Sequence, residues 1–103
     1  MSEAEVICKK LGCCGLITLN RPKALNALTL SMVREIAAAL DRFERDPAVA
    51  CVIITGTGGK AFCAGGDIRV LYELGSGGRY AEQLCFWREE YRLNRRIKLY
   101  SKP

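Results

Sequence analysis

The sequence predicts an α/β fold arranged as one small domain, and three patterns predict it. Two β-rich runs flank a glycine turn near the start, a segment with apolar residues at three- and four-residue steps follows, and a β-branched run then leads through a glycine-rich loop into further helical pattern. The order is strand, strand, helix, strand, loop, helix, helix. The 103 residues leave room for a single domain, 1–103, whose last part is helical from about residue 79. No internal repeat or low-complexity stretch interrupts it.

"EVICKK" (5–10) and "GLITLN" (15–20) read as strands, and "LGCCG" between them offers glycine for a hairpin turn. "RPKALNAL" breaks the pattern at Pro22 and makes an irregular link. Thr29 stands at a helix N-cap position, where its hydroxyl can accept from an otherwise unpaired N–H. Leu30, Val33, Ile36, Ala37, Leu40 and Phe43 then share a helix face. Pro47 ends the element, because the residue before a proline is pushed out of the α region. "ACVIIT" (50–55) is a continuous apolar run, the pattern of a strand covered on both faces and paired in parallel. "GTGGKAFCAGG" follows as a loop, Asp67 begins a helical stretch "DIRVLYEL", "GSGG" (75–78) is a break, and a long helix runs from about Arg79 to Tyr100.

Composition narrows the function classes. Half the residues are hydrophobic and 26% are charged, which suits a globular chain. The longest apolar run, around "AVACVII", is far short of the roughly 20 residues of a spanning helix. "MSEAEVICKK" has neither the basic start of a signal peptide nor the Arg-rich pattern of an import sequence, so the expectation is a soluble, cytoplasmic protein with no membrane partner. Six cysteines without a C-x-x-C, and no histidine, point to free thiols in a reducing compartment rather than to disulfides or a metal site. The missing histidine also excludes Ser-His-Asp and Cys-His chemistry within these residues. The net charge of +5 is concentrated late: residues 79–103 hold seven Lys/Arg against three Asp/Glu, whereas residues 1–78 hold nine against eight.

The adjacent pair Gly65–Gly66 in "KAFCAGGDIR" asks for a reason. A P-loop requires glycine at 54 and Ser or Thr at 61, and the chain has Ile54 and Ala61. "GTGGKA" (56–61) matches a dinucleotide fingerprint, but Gly65–Gly66 fall where the first helical turn should be. Two readings stay open. One is an anion-binding turn, in which glycines let backbone N–H groups converge and Asp67 caps a helix behind them. The other is a plain strand-to-helix loop.

"ITLNRPKALNAL" followed, after a helix of fitting length, by "VIITGTGGKAFCAGGDIR" resembles the enoyl-CoA hydratase/isomerase (crotonase) superfamily over about Glu5 to Pro103. "FWREEYRLN" together with "AFCAGGDIR" resembles its 3-hydroxyisobutyryl-CoA hydrolase branch, which acts in valine breakdown. The resemblance implies a spiral of ββα units, of which this chain holds the N-terminal part. It implies an acyl-CoA thioester substrate, with CoA as part of the substrate and neither a metal nor a separate cofactor. It implies that the N–H of Gly66 is one of two backbone oxyanion donors, and that the backbone of Ala64, Gly65, Gly66, Asp67 and Ile68 lines the CoA. Lys23 and Arg69 match positions near the CoA phosphates, although each also reads as a solvated basic residue. The second donor and the catalytic carboxylates are expected beyond Pro103, so the 103 residues alone should be inactive. A hydratase or isomerase of the same superfamily remains the alternative activity. The compartment becomes the mitochondrial matrix if the protein is eukaryotic and lacks its transit peptide here, and assembly of identical subunits stays open.

One carboxylate interrupts an apolar stripe. Phe86, Leu93, Ile97 and Tyr100 are seven, four and three residues apart, and Glu90 fills the gap. An unpaired buried carboxylate is costly. It is therefore ion-paired, with Arg92 or a cation on another element, or placed at the stripe's edge, or else a site residue with a raised pKa. The resemblance favours the second reading, with Glu90 facing a substrate hydroxyl. Arg88, Arg92, Arg95, Arg96 and Lys98 are expected on the solvated surface of the same helix. With Trp87 and Tyr91 among them, a basic binding module is the alternative outside the superfamily, but no nucleic-acid motif accompanies it.

Overall fold

The computed structural model describes residues 4–103. Strands β1 (Val6–Leu11) and β2 (Cys14–Leu19) form an antiparallel hairpin in which Val6 opposes Leu19 and Leu11 opposes Cys14. Gly12 opens the two-residue turn at φ +59°. A type II′ turn needs that left-handed first position, and glycine enters it without a Cβ clash.

Alternation along β2 sends Gly15, Ile17 and Leu19 to the buried side. Helix α1 (Leu30–Arg45) lies over that side and buries Met32, Val33, Ile36, Ala39, Leu40 and Phe43. Met32 and Ala39 widen the stripe that periodicity predicts, while Leu30 and Ala37 sit half-buried at its margins. A β-carbon on Gly15 would fall 2.7 Å from the Phe43 ring, so the strand glycine makes room for that aromatic. The cap is the expected one, with the Met32 N–H donating to the Thr29 hydroxyl at 3.2 Å.

Strand β3 (Cys51–Gly56) pairs with β2 in parallel, from Cys14 opposite Cys51 to Leu19 opposite Gly56, giving the sheet order β1-β2-β3. The parallel pairing agrees with the sequence pattern; cover on both faces does not. Ile53 is 51% exposed. Val52 and Ile54 turn toward Leu40 and Tyr100, but among the described residues no helix packs on the side that holds Cys51, Ile53 and Thr55.

Helix α2 (Ile68–Ser76) follows the loop, and α3 (Tyr80–Lys98) returns alongside α1. Leu93 joins the core, and ion pairs flank the contact. Arg34 makes a two-pronged bond to Glu89 at 3.0 and 2.8 Å, and Arg96 reaches Glu44 at 3.0 Å and Asp41 at 2.9 Å. Arg96 is thus a scaffold cation, whereas Arg88, Arg92, Arg95 and Lys98 are exposed as expected. Ile97, expected on the buried face, is 42% exposed at the margin of an open cleft shared with Leu40 and Tyr100. Beyond α3, Lys102 donates to the carbonyls of Phe43 (2.6 Å) and Asp46 (2.8 Å), satisfying acceptors that the end of α1 leaves open. No described helix is long and apolar enough to cross a membrane.

Candidate functional site

The link after β2 sets the site. Pro22–Ala24 form a short 3-10 turn, and Leu25 and Asn26 follow at φ +53° and +57°. Asn26 is fully buried. Its carbonyl accepts from the Arg21 N–H at 2.8 Å, and its amide donates to the carbonyls of Thr57 and Ala61, both at 3.0 Å. Asparagine tolerates the left-handed region better than other non-glycine residues, and these three bonds satisfy a polar group that would otherwise be costly to bury. Asn26 therefore pins the link to the loop leaving β3. Sequence reasoning passed over it; the available signal was an amide between apolar neighbours in "ALNAL".

The glycine pair serves two different needs. Gly65 has φ +93°, a backbone position closed to most residues. Gly66 does not, but a β-carbon there would fall 3.1 and 3.4 Å from the Glu90 carboxylate oxygens and 3.3 Å from the Phe86 ring. Gly66 also forms an isolated parallel bridge with Leu28. The Leu28 N–H donates to the Gly65 carbonyl at 2.7 Å, and the Asp67 N–H donates to the Leu28 carbonyl at 2.9 Å. In that bridge the bracketed residue turns its own N–H away from its partner. Across the loop, the Ala64 N–H is taken by the Leu25 carbonyl at 3.0 Å and the Gly65 N–H by the Cys63 sulfur at 3.4 Å. Among the described residues, only the Gly66 and Ile68 amides of this stretch lack an acceptor.

Asp67 caps α2 as the sequence predicts, accepting from the Arg69 N–H at 3.0 Å and the Val70 N–H at 3.3 Å. Its other oxygen pairs with Arg21 at 3.0 Å. Burial alone would raise this carboxyl, but the guanidinium and the helix amides outweigh it and hold it below the ordinary range. The aspartate thus fills the positive end of α2 itself, and both its carboxylate and its N–H are committed to the scaffold. Arg21 extends the brace to the Ala27 carbonyl at 2.7 Å and to Glu5 at 3.3 Å.

Helix α3 brings the carboxylate. Phe86 is buried at 1% exposure, and one turn on Glu90 lies half-buried beside Gly66. Among the described residues Glu90 has no ion-pair partner, and burial alone raises its pKa. Glu89 is its opposite. The Arg34 bonds and a hydrogen bond from the Cys85 thiol at 3.2 Å hold its carboxyl down at about 2. One of the two adjacent glutamates is structural, and the other stands free next to a free backbone donor.

Lys23 and Arg69 come from separate elements to line one open groove with Arg21, Asn20 and Glu5. Neither makes an ion pair among the described residues. Ile68 projects outward at 78% exposure. No cluster of three or more metal-ligating side chains occurs among the described residues. Of the two open amides, that of Gly66 can be offered to an anionic oxygen with the half-buried Glu90 carboxylate beside it, and Lys23 and Arg69 supply cations in their own groove.

A family model described as enoyl-CoA hydratase/isomerase matches residues 14–103. The chain is 54% identical over 100 residues to a mitochondrial 3-hydroxyisobutyryl-CoA hydrolase from Danio rerio, covering 97% of this chain and 26% of that protein. It is 57% identical over 104 residues to the Xenopus laevis protein of the same name, covering 100% of this chain and 26% of that one. The structure superposes on an enoyl-CoA hydratase from Rhodobacter sphaeroides 2.4.1 with a TM-score of 0.90 at 50% identity, covering 97% of this chain and 30% of that one. The chain spans about a quarter of the length of the curated relatives it matches.

Proposed function

The chain belongs to the enoyl-CoA hydratase/isomerase family, and from that premise we propose that it supplies part of the site of an acyl-CoA thioester hydrolase acting on 3-hydroxyisobutyryl-CoA. The observation that carries this reading is the pairing of the free Gly66 N–H with the unpaired Glu90 carboxylate. The amide donates to the thioester carbonyl oxygen as negative charge grows there during attack, where a fixed donor stabilises most. Glu90 accepts from the hydroxyl of the acyl group and so sets its position against that donor. Lys23 and Arg69 draw the CoA phosphates, and the main chain of Ala64–Ile68 lines the CoA. The water-activating carboxylate lies outside these residues. CoA enters as part of the substrate, with no separate cofactor. The relatives are mitochondrial by name, which favours the mitochondrial matrix as the compartment.

The test compares Glu90→Gln with Glu89→Gln in the full-length protein, following release of free CoA thiol. Glu90→Gln should lower turnover tenfold or more, whereas Glu89→Gln should cost stability and leave turnover within a few fold. Equal losses in turnover would overturn the assignment. The name of the Rhodobacter neighbour supports a second reading, hydration of an unsaturated acyl-CoA. Loss of enoyl absorbance without thiol release would favour it.

A further inference from the structure

Two cysteines that the site does not use meet across the sheet. Cys14 and Cys51 are direct partners in the parallel register of β2 and β3, so their side chains leave the same side. Neighbouring strands lie about 4.8 Å apart. That falls within the Cα separation of about 4.4–6.8 Å that a disulfide spans. Both thiols are free and half-buried. Among the described residues they lie on the side without a helical cover, beside Leu11 at 58% and Ile53 at 51% exposure. The neighbouring Cys14 thiol, aided by burial, pushes the Cys51 thiol up, while the Cys14 thiol itself donates to the Gly15 carbonyl at 3.6 Å. Cys13 is nearer to solvent but belongs to the turn and has no strand partner.

We propose that Cys14 and Cys51 are a modification site, a dithiol that small disulfides such as oxidised glutathione convert reversibly to a protein disulfide. The Cys14 thiolate attacks one sulfur of oxidised glutathione, forming a mixed disulfide and releasing one glutathione thiolate. Cys51 then loses its proton and attacks the Cys14 sulfur, expelling the second glutathione thiolate. The protein is oxidised by two electrons and the glutathione disulfide is reduced to two thiols. The new bond closes a loop that contains all of α1. It lies at the end of the β2–β3 pair opposite Leu19 and Gly56, the end that leads to Asn20, Asn26 and Thr57. Oxidation should therefore stabilise the sheet without disturbing the Gly66 loop.

The experiment treats the reduced full-length protein with oxidised glutathione, blocks remaining thiols with N-ethylmaleimide and digests with trypsin without reduction. The expected product joins peptide 11–23, carrying one N-ethylmaleimide on Cys13, to peptide 46–60, lighter by two hydrogens than the sum of the singly alkylated and the unmodified peptide. It should persist in Cys13→Ser, vanish in Cys14→Ser and Cys51→Ser, and reverse with dithiothreitol. The urea midpoint should rise on oxidation of the parent protein but not of Cys51→Ser. Alkylated or glutathionylated thiols without the cross-link would overturn the proposal, as would a cross-link that survives Cys14→Ser.

Discussion

Replacing each glycine of the pair by alanine should separate their roles. In Gly65→Ala the new β-carbon meets nothing within 4 Å, so the cost is conformational. Holding alanine at φ +93° destabilises by about 1–3 kcal/mol. In Gly66→Ala the backbone is already permitted, and the cost comes from contacts at 3.1 Å to a Glu90 oxygen and 3.3 Å to the Phe86 ring. The ring is locked in the core, but the carboxylate can swing. Displacement by a few tenths of an ångström should cost about 1 kcal/mol, the low end of overpacking. The same shift misplaces Glu90 and should lower thioester hydrolysis about tenfold. Urea unfolding and hydrolysis are measured for each variant of the full-length protein, then again in a Glu90→Ala background. There the stability cost of Gly66→Ala should fall by about 0.5 kcal/mol or more, while that of Gly65→Ala stays the same. A Gly66→Ala cost unchanged by removing Glu90, or a Gly65→Ala cost that falls with it, would refute the division of roles.

Asn26→Asp keeps the shape but sets an acceptor against the Thr57 and Ala61 carbonyls; a loss of about 3 kcal/mol or more is expected by chemical denaturation. Asp67→Asn preserves the cap but gives up the charge on Arg21, for about 1.5–3 kcal/mol at neutral pH. Because the folded state depresses the Asp67 carboxyl, that contribution is present above its ordinary pKa and is lost on acidification, so the parent and variant stabilities should converge at low pH. The Arg34–Glu89 pair follows the same sign: full above the ordinary 4.5 and lost as the pH falls toward about 2. Arg34→Met should flatten that window in a pH series of unfolding midpoints.

Local signals in the sequence were sufficient for the hairpin, the Thr29 cap and the Asp67 cap, since each depends on residues within a few positions. The resemblance supplied the spiral class and the donor role of Gly66, while helical spacing alone drew attention to Glu90. What escaped reading was long-range. Asn26 finds its acceptors 31 and 35 residues away, and Arg96 finds its carboxylates more than 50 residues away. Helical spacing separates Glu90 from Glu89 in "REE", but nothing local shows that Arg34, 55 residues away, takes Glu89. The run "CVII" carries the hydrophobicity of a strand buried on both sides, yet among the described residues helix cover reaches only one of them. Hydrophobic pattern records what a surface favours, not whether a neighbour is present to meet it.

The bridge between Leu28 and Gly66 is made entirely by main-chain atoms. The aim of the free amide is therefore a matter of register, in the way that a rung is set by its rails. Side chains at position 28 can be exchanged for others that fill the same core space, and the amide will keep its heading. Proline there would remove the N–H that holds the Gly65 carbonyl and release the loop, however well its ring packed. A comparison of side chains alone would miss the one change to which this donor is most sensitive.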